Sequence, residues 1–156
     1  MSFTTRKKAS VFLFTLVLLI EATQAVLAVP QEPRQKLPNP VAYLVGFDIF
    51  QQDGKQYTRY NLSIDNYQSY PNTLFAPSPN LPPCGKNSNS ARTWVEIMDQ
   101  SGKRLYGFCA VGSNTDLTKL WFALESDVLP PSWVYVVLND RLTNTTYKSN
   151  LIETTG

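Results

Sequence analysis

The chain has 156 residues, of which 43% are hydrophobic, 17% charged and 12% aromatic, enough for one compact domain and too little for two ordinary ones. Its formal charge is +2, but Arg6, Lys7, Lys8 and Glu21 lie in an amino-terminal targeting segment, and the remainder is neutral; that balance argues against a nucleic-acid binder or an anionic-membrane binder, which needs clustered basic charge. Histidine is absent, which removes Ser-His-Asp and Cys-His catalysis, imidazole-held zinc and histidine pH switching together.

In chain order, three adjacent cations precede the run Val11 to Ile20, which is apolar except for Thr15. This is the pattern of a secretory signal. The run is well short of the ~20 residues that span hydrocarbon, and Glu21 ends it, so no stable membrane anchor is expected after cleavage. Small residues permit cleavage after Ala25 or Ala28, and the second is preferred, making residues 1–28 the signal peptide. Residues 29–40 follow with four prolines and no apolar periodicity, the composition of an extended spacer.

From 41 to 153 the texture is that of one all-β domain, with short β-branched and aromatic runs between turn residues. The first run, Val41 to Phe50, places Val41, Tyr43, Val45, Phe47 and Ile49 on one face, and Asp53-Gly54 signals a hairpin turn because Gly tolerates positive φ. The second run, Gln56 to Asp65, alternates Tyr60, Leu62 and Ile64 against Arg59, Asn61 and Ser63. Arg92 to Asp99 and Leu105 to Val111 form a second hairpin around Ser101-Gly102-Lys103. Asp116 to Leu120 predicts one helical turn capped by Ser113 or Thr115. An alternating run then carries Leu120, Phe122 and Leu124. Trp133 to Leu138 reads as a central strand buried on both faces, and Tyr147 to Ile152 as the last strand. About seven strands with prolines in the loops fit a β-sandwich of immunoglobulin or fibronectin type III character, with a partly open barrel as the alternative.

The segment Asn66 to Ser90 is too long for a structureless loop in a compact domain, so it is either pinned or functional. Cys84 within it and Cys109 in the fourth strand predict one disulfide in an exported chain. Closing about 25 residues stabilises by roughly 3.5 kcal/mol in the chain-entropy view. No third or fourth ligand accompanies the cysteines, so neither a metal nor any other cofactor is expected.

The strings Leu81-Pro82-Pro83-Cys84-Gly85, Asn87 to Val95, Leu105 to Ala110, Leu120 to Ala123 and Val134 to Val136 resemble a domain recurring in secreted bacterial proteins of no assigned function. The resemblance covers nearly all of the mature chain. It implies a small extracytoplasmic β domain, secreted or periplasmic, and carries no activity, substrate or site residue with it. More loosely, the strand order and aromatic placement are similar to fibronectin type III modules.

Two functions compete. The first is a non-catalytic module that binds a partner protein or an envelope polysaccharide. Its ligand surface is expected on the long loop and adjoining strand, at Tyr67, Tyr70, Phe75, Asn87, Asn89 and Trp94, because rings stack on sugars or peptides while amides exchange hydrogen bonds with them. Trp94 shares its face with Glu96, away from Val95 and Ile97, and so stands apart from the main core. The opposing reading makes Tyr70, Phe75 and Trp94 a satellite cluster under the loop. The second function is a small hydrolase of glycosidase type using carboxylates from among Asp48, Asp65, Glu96, Asp99, Asp116 and Asp140. These stand in no recognisable motif, and most fall where Asp serves turns.

Overall fold

The computed structural model describes residues 36–77, 91–108 and 111–155. The predicted signal peptide, Asn87, Asn89 and both cysteines therefore lie outside the described residues, and the expected bridge is not shown. Eight strands form: β1 Ala42–Gln52, β2 Lys55–Ile64, β3 Thr93–Asp99, β4 Arg104–Phe108, β5 Leu120–Glu125, β6 Trp133–Asp140, β7 Thr145–Lys148 and β8 Ile152–Glu153. No α-helix occurs among the described residues.

Two antiparallel sheets result, ordered β1-β2-β5 and β4-β3-β6-β7, with β8 added to β6. They do not close into a barrel. Tyr60, Leu62 and Ile64 of β2 and Leu120 and Phe122 of β5 meet Val95 and Ile97 of β3 and Val134, Val136 and Leu138 of β6 in one core. The alternation of β2 and β3 thus reports which side is dry. In β6 every side chain from Val134 to Leu138 is buried, as its central place between β3 and β7 requires.

Local chemistry sets the turns. Asp53 and Gly54 take φ of 52° and 77° between the paired residues Gln52 and Lys55, a two-residue turn whose twist matches that of the strands. The Asp99 carboxylate accepts hydrogen bonds from the Ser101 N–H, the Ser101 hydroxyl and the Lys103 N–H at 2.8, 2.6 and 2.9 Å, which holds the β3–β4 turn. The expected helical turn is a 3-10 turn at Asn114–Thr118. Ser113 is its N-cap residue, and the Asp116 carboxylate reaches back to the N–H groups of Gly112 and Ser113 at 2.9 and 3.1 Å.

Two expectations need correction. The five apolar residues from Val41 to Ile49 do not share a face, because the register slips between Leu44 and Gly46. A bulge adds one residue and reverses the alternation beyond it. Phe47 pairs with Tyr60, and Tyr60 with Phe122, so Phe47 lies on the core side of its sheet, whereas Tyr43 pairs with Ser63 on the other side. All five remain exposed, by 47 to 66%. The last strand is also two pieces, β7 and β8. Between them the Ser149 hydroxyl accepts a hydrogen bond from the Val136 N–H at 2.8 Å.

The first part of the long loop is pinned. Two 3-10 turns, Tyr67–Ser69 and Asn72–Leu74, fold it so that Tyr70, Leu74 and Phe75 enter the core, and the Thr93 hydroxyl donates to the Leu74 carbonyl at 2.7 Å. The end of the proline-rich spacer is held as well. Leu37 packs on the core, and Asn66 accepts from the Val41 N–H at 2.8 Å and donates to the Asn39 carbonyl at 2.9 Å.

Candidate functional site

Of the six residues expected to form a ligand surface, the four that are described, Tyr67, Tyr70, Phe75 and Trp94, do not share one face. Tyr70 and Phe75 are core residues, 0% and 1% exposed, which corrects the expectation that their rings face a ligand. The cause is the pair of 3-10 turns, which bury the apolar side of the loop instead of displaying it. The Tyr70 ring meets Tyr147 edge-on at 6.2 Å, and its hydroxyl donates to the Pro38 carbonyl at 2.7 Å. Burial, with a smaller contribution from Tyr147, raises the Tyr70 phenol well above its ordinary pKa, so it stays neutral. Tyr67 is half-buried against the core.

Trp94 is different. It shares the outer side of β3 with Glu96 and Met98 while Thr93, Val95 and Ile97 are buried beneath, as the alternation of the sequence predicts. The Arg141 guanidinium lies over the indole at 4.2 Å from the ring centroid, close enough for cation–π attraction. Arg141 is held there by a hydrogen bond from its Nη1 to the Ala91 carbonyl at 3.0 Å. The indole Nε1 is buried and has no hydrogen-bond partner. Leaving a buried donor unmet costs on the order of 1–3 kcal/mol, so this side chain is not the one that stability alone would select.

Beside the ring a hydrogen-bonded line crosses four strands of the sheet, β7, β6, β3 and β4. The Thr146 hydroxyl of β7 donates to Asn139 Oδ1 of β6 at 2.9 Å, and Asn139 Nδ2 donates to Glu96 Oε2 of β3 at 2.7 Å. Glu96 Oε1 receives Arg104 Nη1 of β4 at 3.2 Å. Asn139 stands opposite Trp94 in register, so the ring borders oriented amide, hydroxyl and guanidinium groups. Asn139 was legible only as a turn residue in the sequence, although its parity with Tyr135 and Val137 places it on this face. Arg141 left no signal, because it follows the strand and reaches the ring through the tertiary fold.

Five of the six candidate carboxylates have other partners, and Asp65 is exposed just past the end of β2. Asp48 accepts two hydrogen bonds from Arg59, at 3.1 and 2.7 Å, and one from Asn61 at 2.8 Å. Arg59 first and Asn61 second hold its pKa below the ordinary value. Asp99 and Asp116 serve turns, and Glu96 belongs to the line beside Trp94. Asp140, 2% exposed, receives Arg92 Nε and Nη2 at 2.8 and 2.6 Å and the Thr143 hydroxyl at 2.7 Å. Among the described residues no group of three His, Cys, Asp or Glu is arranged to hold a metal ion, and no helix is long and apolar enough to cross a membrane.

Comparison with known proteins gave no match: no family model, no curated protein and no solved structure matches this chain.

Proposed function

We propose that this chain is a secreted or periplasmic, non-catalytic β-sandwich module that binds a partner protein or an envelope glycan through the outer face of the β4-β3-β6-β7 sheet, centred on Trp94. The observation that carries the reading is the indole donor without a partner beneath a stacked guanidinium. Displacing Arg141 would open a flat ring face on which a ligand could stack. Ring, amide and hydroxyl groups together suit a glycan, whose CH faces stack while its hydroxyls both donate and accept.

The strand order supports the finer fold assignment. Numbered along the chain, an immunoglobulin constant domain sets strands 1-2-5-4 against 3-6-7. Here the order is 1-2-5 against 4-3-6-7, which is the same arrangement with the fourth strand moved to the edge of the third. Fold of this kind carries no activity by itself. The secretory pattern of residues 1–28 supports the extracytoplasmic setting. Against the hydrolase reading stand five of the six candidate carboxylates, Asp48, Glu96, Asp99, Asp116 and Asp140, which are committed to ion pairs, a hydrogen-bonded line and turns.

The test is titration of the purified protein with soluble envelope polysaccharides, read by isothermal titration calorimetry, alongside Trp94→Ala and a panel of chromogenic glycosides. Saturable binding that Trp94→Ala removes is expected. Turnover abolished by a single carboxylate substitution would overturn the non-catalytic reading, and binding indifferent to Trp94 would overturn the site.

A further inference from the structure

The side of the β4-β3-β6-β7 sheet that carries Trp94 is framed by cations. Arg104 stands on β4 and Lys148 on β7, the outer strands of this order, three strand spacings or about 14 Å apart across the sheet. Arg141 follows β6 and covers Trp94. Inside this frame the floor is Met98, Tyr135, Val137 and Trp94, with Tyr135 and Val137 buried. One carboxylate lies among them. The Glu96 side chain is 18% exposed, and its two oxygens are taken by Arg104 and Asn139. Glu153, the other carboxylate on this side of the sheet among the described residues, pairs with Trp133, roughly 20 Å along β6 from Asn139. Lys148 is exposed and enters no ion pair among the described residues. Its ammonium rests 3.9 Å from the centroid of the Tyr135 ring.

We infer that the ligand of this face is an acidic polysaccharide, one whose sugar rings carry carboxylates. The inference rests on the binding reading given above and names the ligand class of that same site. Charge points to it first: three cations surround one shielded carboxylate, and Arg104 and Lys148 reach into solvent. The placing of the cations points the same way. Arg141 and Lys148 lie over the Trp94 and Tyr135 rings, and a cation over a ring is held less firmly than one bonded to a carboxylate. A guanidinium matches a carboxylate with two parallel hydrogen bonds. A carboxylated sugar therefore supplies what a neutral one lacks, a stronger partner that draws Arg141 off the indole, and the CH face of the sugar then takes the uncovered ring. Tyr135 and Lys148 repeat the arrangement about 13 Å along the strands from Trp94, so one extended chain passes two rings that each carry a cation. A nucleic-acid backbone asks for denser positive charge than this frame holds, and the amide of Asn139 and the hydroxyl of Thr146 at its centre suit sugar hydroxyls.

Calorimetric titration with polygalacturonate and with neutral dextran of similar length tests the inference. Polygalacturonate is expected to bind about tenfold more tightly or better at low ionic strength, and its advantage should shrink severalfold as sodium chloride rises from about 50 to about 500 mM. Lys148→Glu should weaken polygalacturonate about tenfold and leave dextran unchanged. Arg141→Gln should move the two ligands in opposite directions: polygalacturonate loses its guanidinium partner, while dextran gains a ring that is already open. Far-ultraviolet circular dichroism confirms the fold of each variant. Dextran bound as tightly as polygalacturonate, with Trp94→Ala removing both, would overturn the acidic ligand and leave the binding face standing. Binding of neither polysaccharide, or binding indifferent to Trp94→Ala, would remove the face and the inference with it. Polyglutamate or single-stranded DNA bound as tightly as polygalacturonate would overturn the inference, since charge without a sugar would then suffice. So would a parallel fall of both polysaccharides in Arg141→Gln, which would leave Arg141 a packing role only.

Discussion

The Asn150 side chain acts as a strand residue toward Ala42, bonding both its N–H and its C=O across the gap between β1 and the β7–β8 junction. The two sheets are thereby joined along one side by an amide, where hydrogen bonding between strands would otherwise be needed to close them. The substitution Asn150→Ala should destabilise the fold by about 1–2 kcal/mol, because the Ala42 N–H, on a residue only 4% exposed, loses its acceptor. Asn150→Asp should cost more at neutral pH, since a carboxylate oxygen would then face the Ala42 carbonyl. Urea midpoints at two pH values check this: the Asp variant should approach the Ala variant on acidification, when the acid can donate again.

Arg92 and Asp140 form the most buried ion pair described, with side chains 21% and 2% exposed. Burial pushes the Asp140 carboxyl up, but the hydrogen bonds from Arg92 and Thr143 outweigh it and hold its pKa below the ordinary value. A carboxylate with a folded pKa below its unfolded one contributes stability above the unfolded value, near 4, and loses it as pH falls through the folded value. Arg92→Met should cost about 3 kcal/mol at pH 7 by stranding a buried charge. The deficit relative to the natural protein should shrink as pH falls and Asp140 takes up a proton. Chemical denaturation from pH 7 to pH 3 measures both effects, and a deficit constant with pH would contradict them.

Trp94→Phe removes the unmet donor while keeping most of the ring. Replacing an unsatisfied polar group by an apolar one of similar shape is near neutral or favourable, so thermal stability should stay within about 1 kcal/mol of the natural protein or rise. Glycan affinity should fall. Parallel loss of both stability and affinity would show that the indole serves packing.

Cys84 and Cys109 should be recovered as one linked peptide pair from unreduced protein. Peptide mapping of native protein that yields two free thiols would remove the bridge. With it present, reduction should lower stability by about 3 kcal/mol in the chain-entropy view.

The sequence by itself determined the features whose cause is local. Asp53-Gly54 specified a two-residue turn because few pairs accept positive φ at both positions, and the alternation through Tyr60, Leu62 and Ile64 or through Trp94, Val95 and Glu96 marked the core-facing side without reference to any neighbour, although Ser63 on the other side of β2 is buried as well. The apolar run from Val134 to Leu138 announced a strand covered on both faces. Only the tertiary structure decided what each dry side would meet. Tyr70 and Phe75 read either as ligand-facing rings or as a cluster under the long loop, and two short turns decide between the two by carrying them into the core, because burying rings in a space between sheets is worth more than leaving them solvated. Phe47 and Ile49 belong by alternation with Val41 and Tyr43, yet one extra residue at the bulge reverses their side, and no sheet reaches far enough to cover them. Strand order, the Asn150 clamp and the placing of Arg141 over Trp94 join residues distant along the chain. They depend on which sheets pack together, and that is settled by the whole core acting at once and not by any single segment.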